Sequence, residues 1–330
     1  MNKLVTVNTM TPMATVNHLK NRKSLTMTLK KAFLLCVTAC LPAFVAWAQQ
    51  IAVATPAGAT TLYQDLNLAI AAAPAGSTVY LSGGGFHISD TTKIRKRLTI
   101  IGIGHRPDSE NADVNTTVTG NFNFEGGANG SALMGVFLSG NVNLGTGGAN
   151  GTFINGFLLR YCNVNSVRVH NGNCVGVEIN QNYVRNNSHG GGTNIQFTNN
   201  ILHSITEVDG GKIENNTILH SVSGYSLFRT YNSPITNNVM RYGGITTTEL
   251  AHNNLIGTDD WDTVFVGPNN GVNTSSNFRL ASGNNTIGIY GGGGFSDTGL
   301  PPGPRIVNKN IPGQTDANGN LRVQIQVSVE

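Results

Sequence analysis

The chain has 330 residues, 41 of them Gly and 42 Asn, with 12% charged and 39% hydrophobic residues. This is too apolar and too sparsely charged for a disordered chain, and its Gly and Asn content calls for many tight turns. The formal charge of +4 misleads: residues 1–48 hold six Lys/Arg and no acid, which leaves 15 basic against 17 acidic residues, a net of −2. Nucleic-acid binding through a basic surface therefore loses its support.

Residues 1–48 read as an export leader. Lys30 and Lys31 precede an apolar run over 32–48 that closes with Ala46-Trp47-Ala48, a small-x-small cleavage pattern before Gln49. Met27 is an alternative start. Two other readings of the run stay open, a membrane anchor at the short limit for spanning and lipidation at Cys40. Beyond it no segment is long and apolar enough to span a bilayer, so the expected location is outside the cell or on its surface. Cys162 and Cys174 remain after processing. Export permits a disulfide between them; two buried thiols is the other reading.

Residues 49–60 are expected to be a small-residue linker. Residues 62–73 place Leu62, Leu66, Ala69, Ile70 and Ala73 on one helical face. Thr78-Val-Tyr-Leu81 and Leu98-Thr-Ile-Ile-Gly-Ile103 read as strands, so the helix is expected to cover the open end of a core built from short strands.

From residue 179 a phrase returns: apolar, any, Asn-Asn, any, apolar. It reads Phe197-Thr-Asn-Asn-Ile-Leu202, Ile213-Glu-Asn-Asn-Thr-Ile218 and Ile235-Thr-Asn-Asn-Val-Met240. Looser copies are Ile179-Asn-Gln-Asn-Tyr-Val184 and Ala251-His-Asn-Asn-Leu-Ile256. The second Asn falls at 182, 200, 216, 238 and 254, in steps of 18, 16, 22 and 16. A period near 20 with short strands is a solenoid signal. Coils about 4.8 Å apart put like residues on like residues, so the second Asn is expected to stack on its copies and join them by amide hydrogen bonds. The coil registers between 105 and 178 are not legible. Near the end, residues 321–329 alternate with period two and read as a closing strand.

The opening over 62–104, with the Gly-Ser-Thr-Val-Tyr-Leu phrase from Gly76 and the Leu-Thr-Ile-Ile-Gly phrase from Leu98, resembles pectate-lyase-like right-handed parallel β-helix proteins, and so do the Asn-Asn copies. The resemblance covers roughly 60–290. It implies an all-β single-stranded right-handed parallel β-helix over 61–290 with a capping helix, and a C-terminal loop and capping strand over 291–330. It leaves function open, since this fold carries lyases, hydrolases, esterases and non-catalytic proteins.

The residue after each inward strand end is Arg185, His203, Leu219, Arg241 and Gly257. A second register, set by the echo of Ile201-Leu-His-Ser in Ile218-Leu-His-Ser, puts His203 under His220. Together they predict an outward stripe of Arg185, His203, His220 and Arg241, suited to an anionic glycan, with Trp261 as an aromatic contact. The blander reading is ordinary outward polarity. The resemblance further implies, as an alternative, a calcium-dependent polysaccharide lyase acting on a uronate polymer, with Lys212, Arg229 or Arg241 as base and Glu207, Asp209 and Glu214 as Ca²⁺ ligands. Asp259, Asp260 and Asp262 around Trp261 could suit glycoside hydrolysis; the order of these residues relative to Ser188-His189-Gly190 is against it. The leading expectation is an exported protein that engages extracellular polysaccharide or a cell-surface glycan along a lateral face. A structural or adhesive solenoid is the third reading.

Overall fold

A computed structural model describes residues 50–105, 115–219 except 149 and 171, 227–241, and, more sparsely, positions from 245 to 301. For Lys3–Val7, Pro304–Asn310 and Val323–Val329 it describes the backbone alone. The chain forms two compact units, one of Gln49–Pro301 and one of Met1–Ala48 with Pro302–Glu330.

In the larger unit short strands repeat in threes, and each pairs in parallel with the strand one coil on. The first sheet takes Ser77–Leu81, Leu98–Ile101, Ala132–Met134, Leu158–Arg160, Glu178–Asn180, Gln196–Thr198, Lys212–Glu214, Ile235–Thr236 and Ala251–His252, which head coils one to nine. The second sheet adds a strand to each coil and the third to coils one to seven, from Gly84–His87 and Lys93–Ile94 in coil one onward. The protein is a parallel β-helix.

Inward residues alternate with outward ones, as a pleat requires. Val79, Ile100, Leu133, Leu159, Ile179, Phe197 and Ile213 form a buried column behind the first sheet. Phe124 and Phe157 fill the interior with ring centroids 4.7 Å apart.

The Asn-Asn phrase is the corner between the first and second sheets. Its first residue takes a left-handed conformation: Asn199, Asn215, Asn237 and Asn253 have φ of 54°, 56°, 59° and 54°. Asn tolerates this better than most side chains. The second Asn makes the ladder. Asn200 Oδ1 accepts the Asn182 N–H at 2.9 Å and Asn182 Nδ2 at 3.1 Å; Asn200 Nδ2 in turn donates to Ile179 O at 2.7 Å and to Asn216 Oδ1 at 3.0 Å. The pattern continues through Asn216, Asn238 and Asn254 with the expected spacings of 18, 16, 22 and 16.

The earlier coils are longer. Thr99 pairs with Ala132 and Ala132 with Leu158, steps of 33 and 26 residues. A second ladder runs here, at the corner between the second and third sheets: Asp90, Asn121, Asn141, Asn165 and Asn186 are joined side chain to side chain or side chain to backbone at 2.7–2.9 Å.

The expected linker differs from a linker. Ile51–Ala54 and Thr60–Tyr63 form an antiparallel hairpin that extends the first sheet beyond coil one. Ile51 and Val53 alternate inward, so this stretch buries apolar side chains. That shortens the helix to α1, Leu66–Ala72, begun by Asp65, which accepts the Leu68 N–H at 2.8 Å. Leu66, Ala69 and Ile70 cover the end of the core.

A later segment straps the outside of the second sheet. Phe265, Phe278, Leu280, Ile287, Ile289 and Phe295 pack on outward-facing Tyr183, Ile201 and Val239. Asn199 Nδ2 donates to Ile289 O at 3.0 Å and Gly291 O at 2.6 Å, and the Gly288 N–H donates to Asn237 O at 2.7 Å.

Cys162 and Cys174 are buried and not joined to each other, which settles the two readings in favour of separate thiols. In the smaller unit the predicted closing strand is Val323–Val329; it pairs antiparallel with Pro304–Asn310 on one side and Lys3–Val7 on the other.

Candidate functional site

The parallel register decides which candidate residues meet. Val184, Leu202, Ile218 and Met240 are successive partners, so the residues after them, Arg185, His203, Leu219 and Arg241, share one row. This corrects the second predicted register: Leu219 is the next residue over His203, not His220, which lies outside the described residues, as does Trp261. Leu219 is buried against the strap and interrupts the row. Arg185 is used internally. Its Nη2 donates to Leu138 O at 2.7 Å and Ser139 O at 3.2 Å, and its guanidinium lies 4.8 Å from the Phe137 ring centroid. Burial lowers its pKa. Arg185 fastens coil five to coil three.

The corner between the third and first sheets gathers a different set. His189, Thr206 and Phe228 are successive partners on the third sheet. Glu207 and Arg229 follow the last two, both in left-handed backbone conformations with φ of 59° and 53°. Glu207 bridges two coils. Its Oε2 lies 2.7 Å from His189 Nε2, and its Oε1 accepts from Arg229 Nη1 at 3.1 Å. His189 Nδ1 lies 3.0 Å from Val169 O. The ring lies over Gly191, where a Cβ would sit 2.7 Å from its Cε1. The Gly190-Gly-Gly192 run is thus a close-packing device, in keeping with a turn and not a phosphate cradle.

Arg168, paired with His189 in the coil below, and His170 extend this corner. Burial, then the charges of Arg168 and His189, lower the His170 pKa. Its Nε2 lies 3.2 Å from Asn143 Oδ1.

Two residues later a stack of Asn155, Val175, Thr193, Asp209 and Tyr231 runs along the same corner. Asp209 accepts from Asn232 Nδ2 at 2.9 Å. Tyr231 is half exposed on a backbone fixed at both groups: its N–H donates to Val208 O, and its carbonyl accepts from Gly210 N–H and Ser233 Oγ. The corner therefore carries half-exposed Tyr231 in backbone register with Asp209, two residues on from Arg229.

Lys212 and Glu214 lie apart, on the outer face of the first sheet, and pair with each other; Glu214 also meets Thr236 Oγ1 at 3.4 Å. Of the three predicted calcium ligands, Glu207 is held by His189 and Arg229, Asp209 by Asn232, and Glu214 by Lys212. Among the described residues no three His, Cys, Asp or Glu side chains gather as a metal would need. This donor set does not fit Ca²⁺.

Sequence reasoning grouped Glu207 and Asp209 with Glu214 as ligands, with Arg229 among the candidate bases, and missed His189 and Tyr231 as neighbours of this corner. The signal was present: Glu207 and Arg229 are 22 residues apart, the same step that separates Asn216 from Asn238.

Comparison with protein-family models, with curated proteins and with solved structures finds no match to this chain.

Proposed function

We propose that the protein is an exported β-helix protein that engages an extracellular polysaccharide along its lateral face, at the corner of His189, Glu207, Arg229, Asp209 and Tyr231. The observation that carries this reading is half-exposed Tyr231, on a fixed backbone, two residues on from Arg229 in a linked acid and base set on adjacent coils. Aromatic faces suit the apolar side of a sugar ring, and the neighbouring carboxylates and guanidinium suit its hydroxyls. Successive coils about 4.8 Å apart present these groups at a spacing comparable to one sugar ring. The strap covers the second sheet, which favours this corner over the row through Arg185 and Arg241. The phrases at Gly76 and Leu98, with the three-sheet parallel coil, support placing the chain near the pectate-lyase-like proteins.

The test is affinity electrophoresis through gels containing a panel of neutral and acidic polysaccharides. A retarded parent, with Tyr231→Ala and Arg229→Ala migrating freely, is the expected result. Equal retardation of parent and variants removes this corner from the reading; no retardation in any gel leaves the structural or adhesive solenoid.

Eliminative cleavage of a uronate polymer is the second reading, favoured by Arg229 lying with two carboxylates in one corner. Ultraviolet absorbance of unsaturated product, with and without Ca²⁺, decides it. A flat trace with polymers that do retard the protein leaves binding without turnover.

A further inference from the structure

The capped end of the β-helix has a surface that glycan engagement does not use. Helix α1 contains no charged residue. One side covers the core, yet the other is apolar as well: Leu68 is 65% exposed, and Ala71, Ala72, Pro74 and Ala75 follow it into solvent. The one polar residue of α1, Asn67, is half-buried and spent on His87 O, the Ser89 N–H and Thr92 Oγ1, so it does not relieve this exposed apolar side. Beside α1, the terminal strand Thr60–Tyr63 carries no charge and leaves Leu62 61% exposed.

Two cations rim this patch. Lys96 Nζ donates to Ala71 O at 2.7 Å, at the end of α1. The Arg97 guanidinium lies against Gly76, 3.2 Å from where a Cβ would stand. Neither is paired with a carboxylate among the described residues, whereas Lys93 and Arg95 are both taken up by Glu125. Asp65 sits at the opposite end of α1 and caps it.

We propose that this end docks on an anionic lipid surface, with Leu62 and Leu68 entering the interface and Lys96 and Arg97 meeting the headgroups. Exposed apolar side chains flanked by cations bind such surfaces through both effects together. The charge is local, since the chain beyond residue 48 has a net charge of −2. A second copy fits less well, because end-to-end contact brings Lys96 and Arg97 of both copies together. With this end on the lipid, the corner of coils five to eight stands roughly 20–35 Å from it at about 4.8 Å per coil, clear for a glycan.

The experiment is co-sedimentation of the exported protein, its N-terminus read by mass spectrometry, with vesicles of phosphatidylcholine alone or mixed with phosphatidylglycerol. Sedimentation on the mixed vesicles, falling as salt is raised, is expected. Leu62→Asp with Leu68→Asp should weaken it at least tenfold. Lys96→Gln and Arg97→Gln should each weaken it roughly fivefold; Arg97 is exposed, so the thermal unfolding of Arg97→Gln should match the parent's and separates lost binding from lost fold, whereas Lys96 is half-buried against Ala71 O. No sedimentation on either vesicle overturns the proposal, as does equal binding to both. A concentration-dependent dimer that Leu68→Asp abolishes assigns the patch to a second copy and overturns it as well.

Discussion

Asn182 Oδ1 accepts the backbone N–H of Cys162 at 2.9 Å, so Cys162 occupies the rung on which the Asn ladder ends. The thiol partly imitates an amide: Sγ lies 3.2 Å from Arg160 O, the contact that Asn182 Nδ2 makes to Asn180 O in the next coil. Cys162 lacks a side-chain carbonyl, so the ladder passes no further toward the N-terminus. The ladder has two chemically different ends, and its middle rungs carry the most.

Asn200 is such a middle rung, fully buried with partners in both directions. Asn200→Ala removes the acceptor of the Asn182 N–H and the side-chain donor to the Ile179 carbonyl, while the Asn182 amide keeps Leu159 O and Asn180 O. At about 1–3 kcal/mol for an unsatisfied buried group, the expected loss is about 3 kcal/mol in urea unfolding. Asn254→Ala, at the last described rung, should cost less. Asn200→Asp adds a sign test. A buried carboxyl facing a carbonyl is favoured in its neutral form, which raises its folded pKa above the unfolded value near 3.9. Its stability should therefore recover as pH falls and decline as pH rises through that raised value.

Cys162 gives a second pH signature. Burial pushes its thiol up to about 12, and the backbone contacts that oppose this are weaker. Native protein at pH 8 should then resist thiol-labelling reagents at Cys162 and react once unfolded. Unfolding temperature should not change with reductant, because no disulfide joins the pair. Above pH 9 the unfolded thiol ionises while the folded one stays protonated, so this group's contribution to stability falls as pH rises toward 12.

The Asn-Asn copies were legible because one chemical need recurs there: a left-handed corner residue, then an amide that both donates and accepts. The coils between 105 and 178 hid their register for two reasons. Steps of 33 and 26 residues break the period, and the ladder there moves to another corner, where single Asn residues at 121, 141, 165 and 186 carry it without a flanking phrase. The corner of His189, Glu207 and Arg229 was hidden differently. No phrase recurs there, and only the coil register through His189, Thr206 and Phe228 shows that they meet. The linker assignment of 49–60 failed because small residues such as Ala52 and Ala54 can alternate with Ile51 and Val53 in a strand as well as lie in a coil.

Glu207 separates a binding role from a stabilising one. Its partners are 43% and 57% exposed, and ion pairs at such exposure contribute about 0–1 kcal/mol. Glu207→Gln should therefore leave the unfolding temperature almost unchanged while altering retention in polysaccharide gels. A loss of stability well beyond this range in urea unfolding would show instead that the left-handed turn at Glu207 depends on its carboxylate.

Asn199 supplies two polar contacts to the strap. Asn199→Gly keeps the left-handed φ of 54° accessible and removes only the amide. The expected result is a strap that opens while the β-helix stays folded. Proteases should then cut near Gly291–Gly294 faster than in the parent, and a hydrophobic dye should bind the newly exposed Tyr183, Ile201 and Val239. Gly291→Ala should act in the same direction from the other side, since its Cβ would fall 2.5 Å from Asn215 Oδ1 and from Thr286 O. If both variants resist cleavage like the parent, the apolar contacts of Phe278, Leu280 and Ile289 hold the strap without these polar ones. Leu280→Ala with Ile289→Ala should then release it, at about 2–5 kcal/mol per truncated buried side chain.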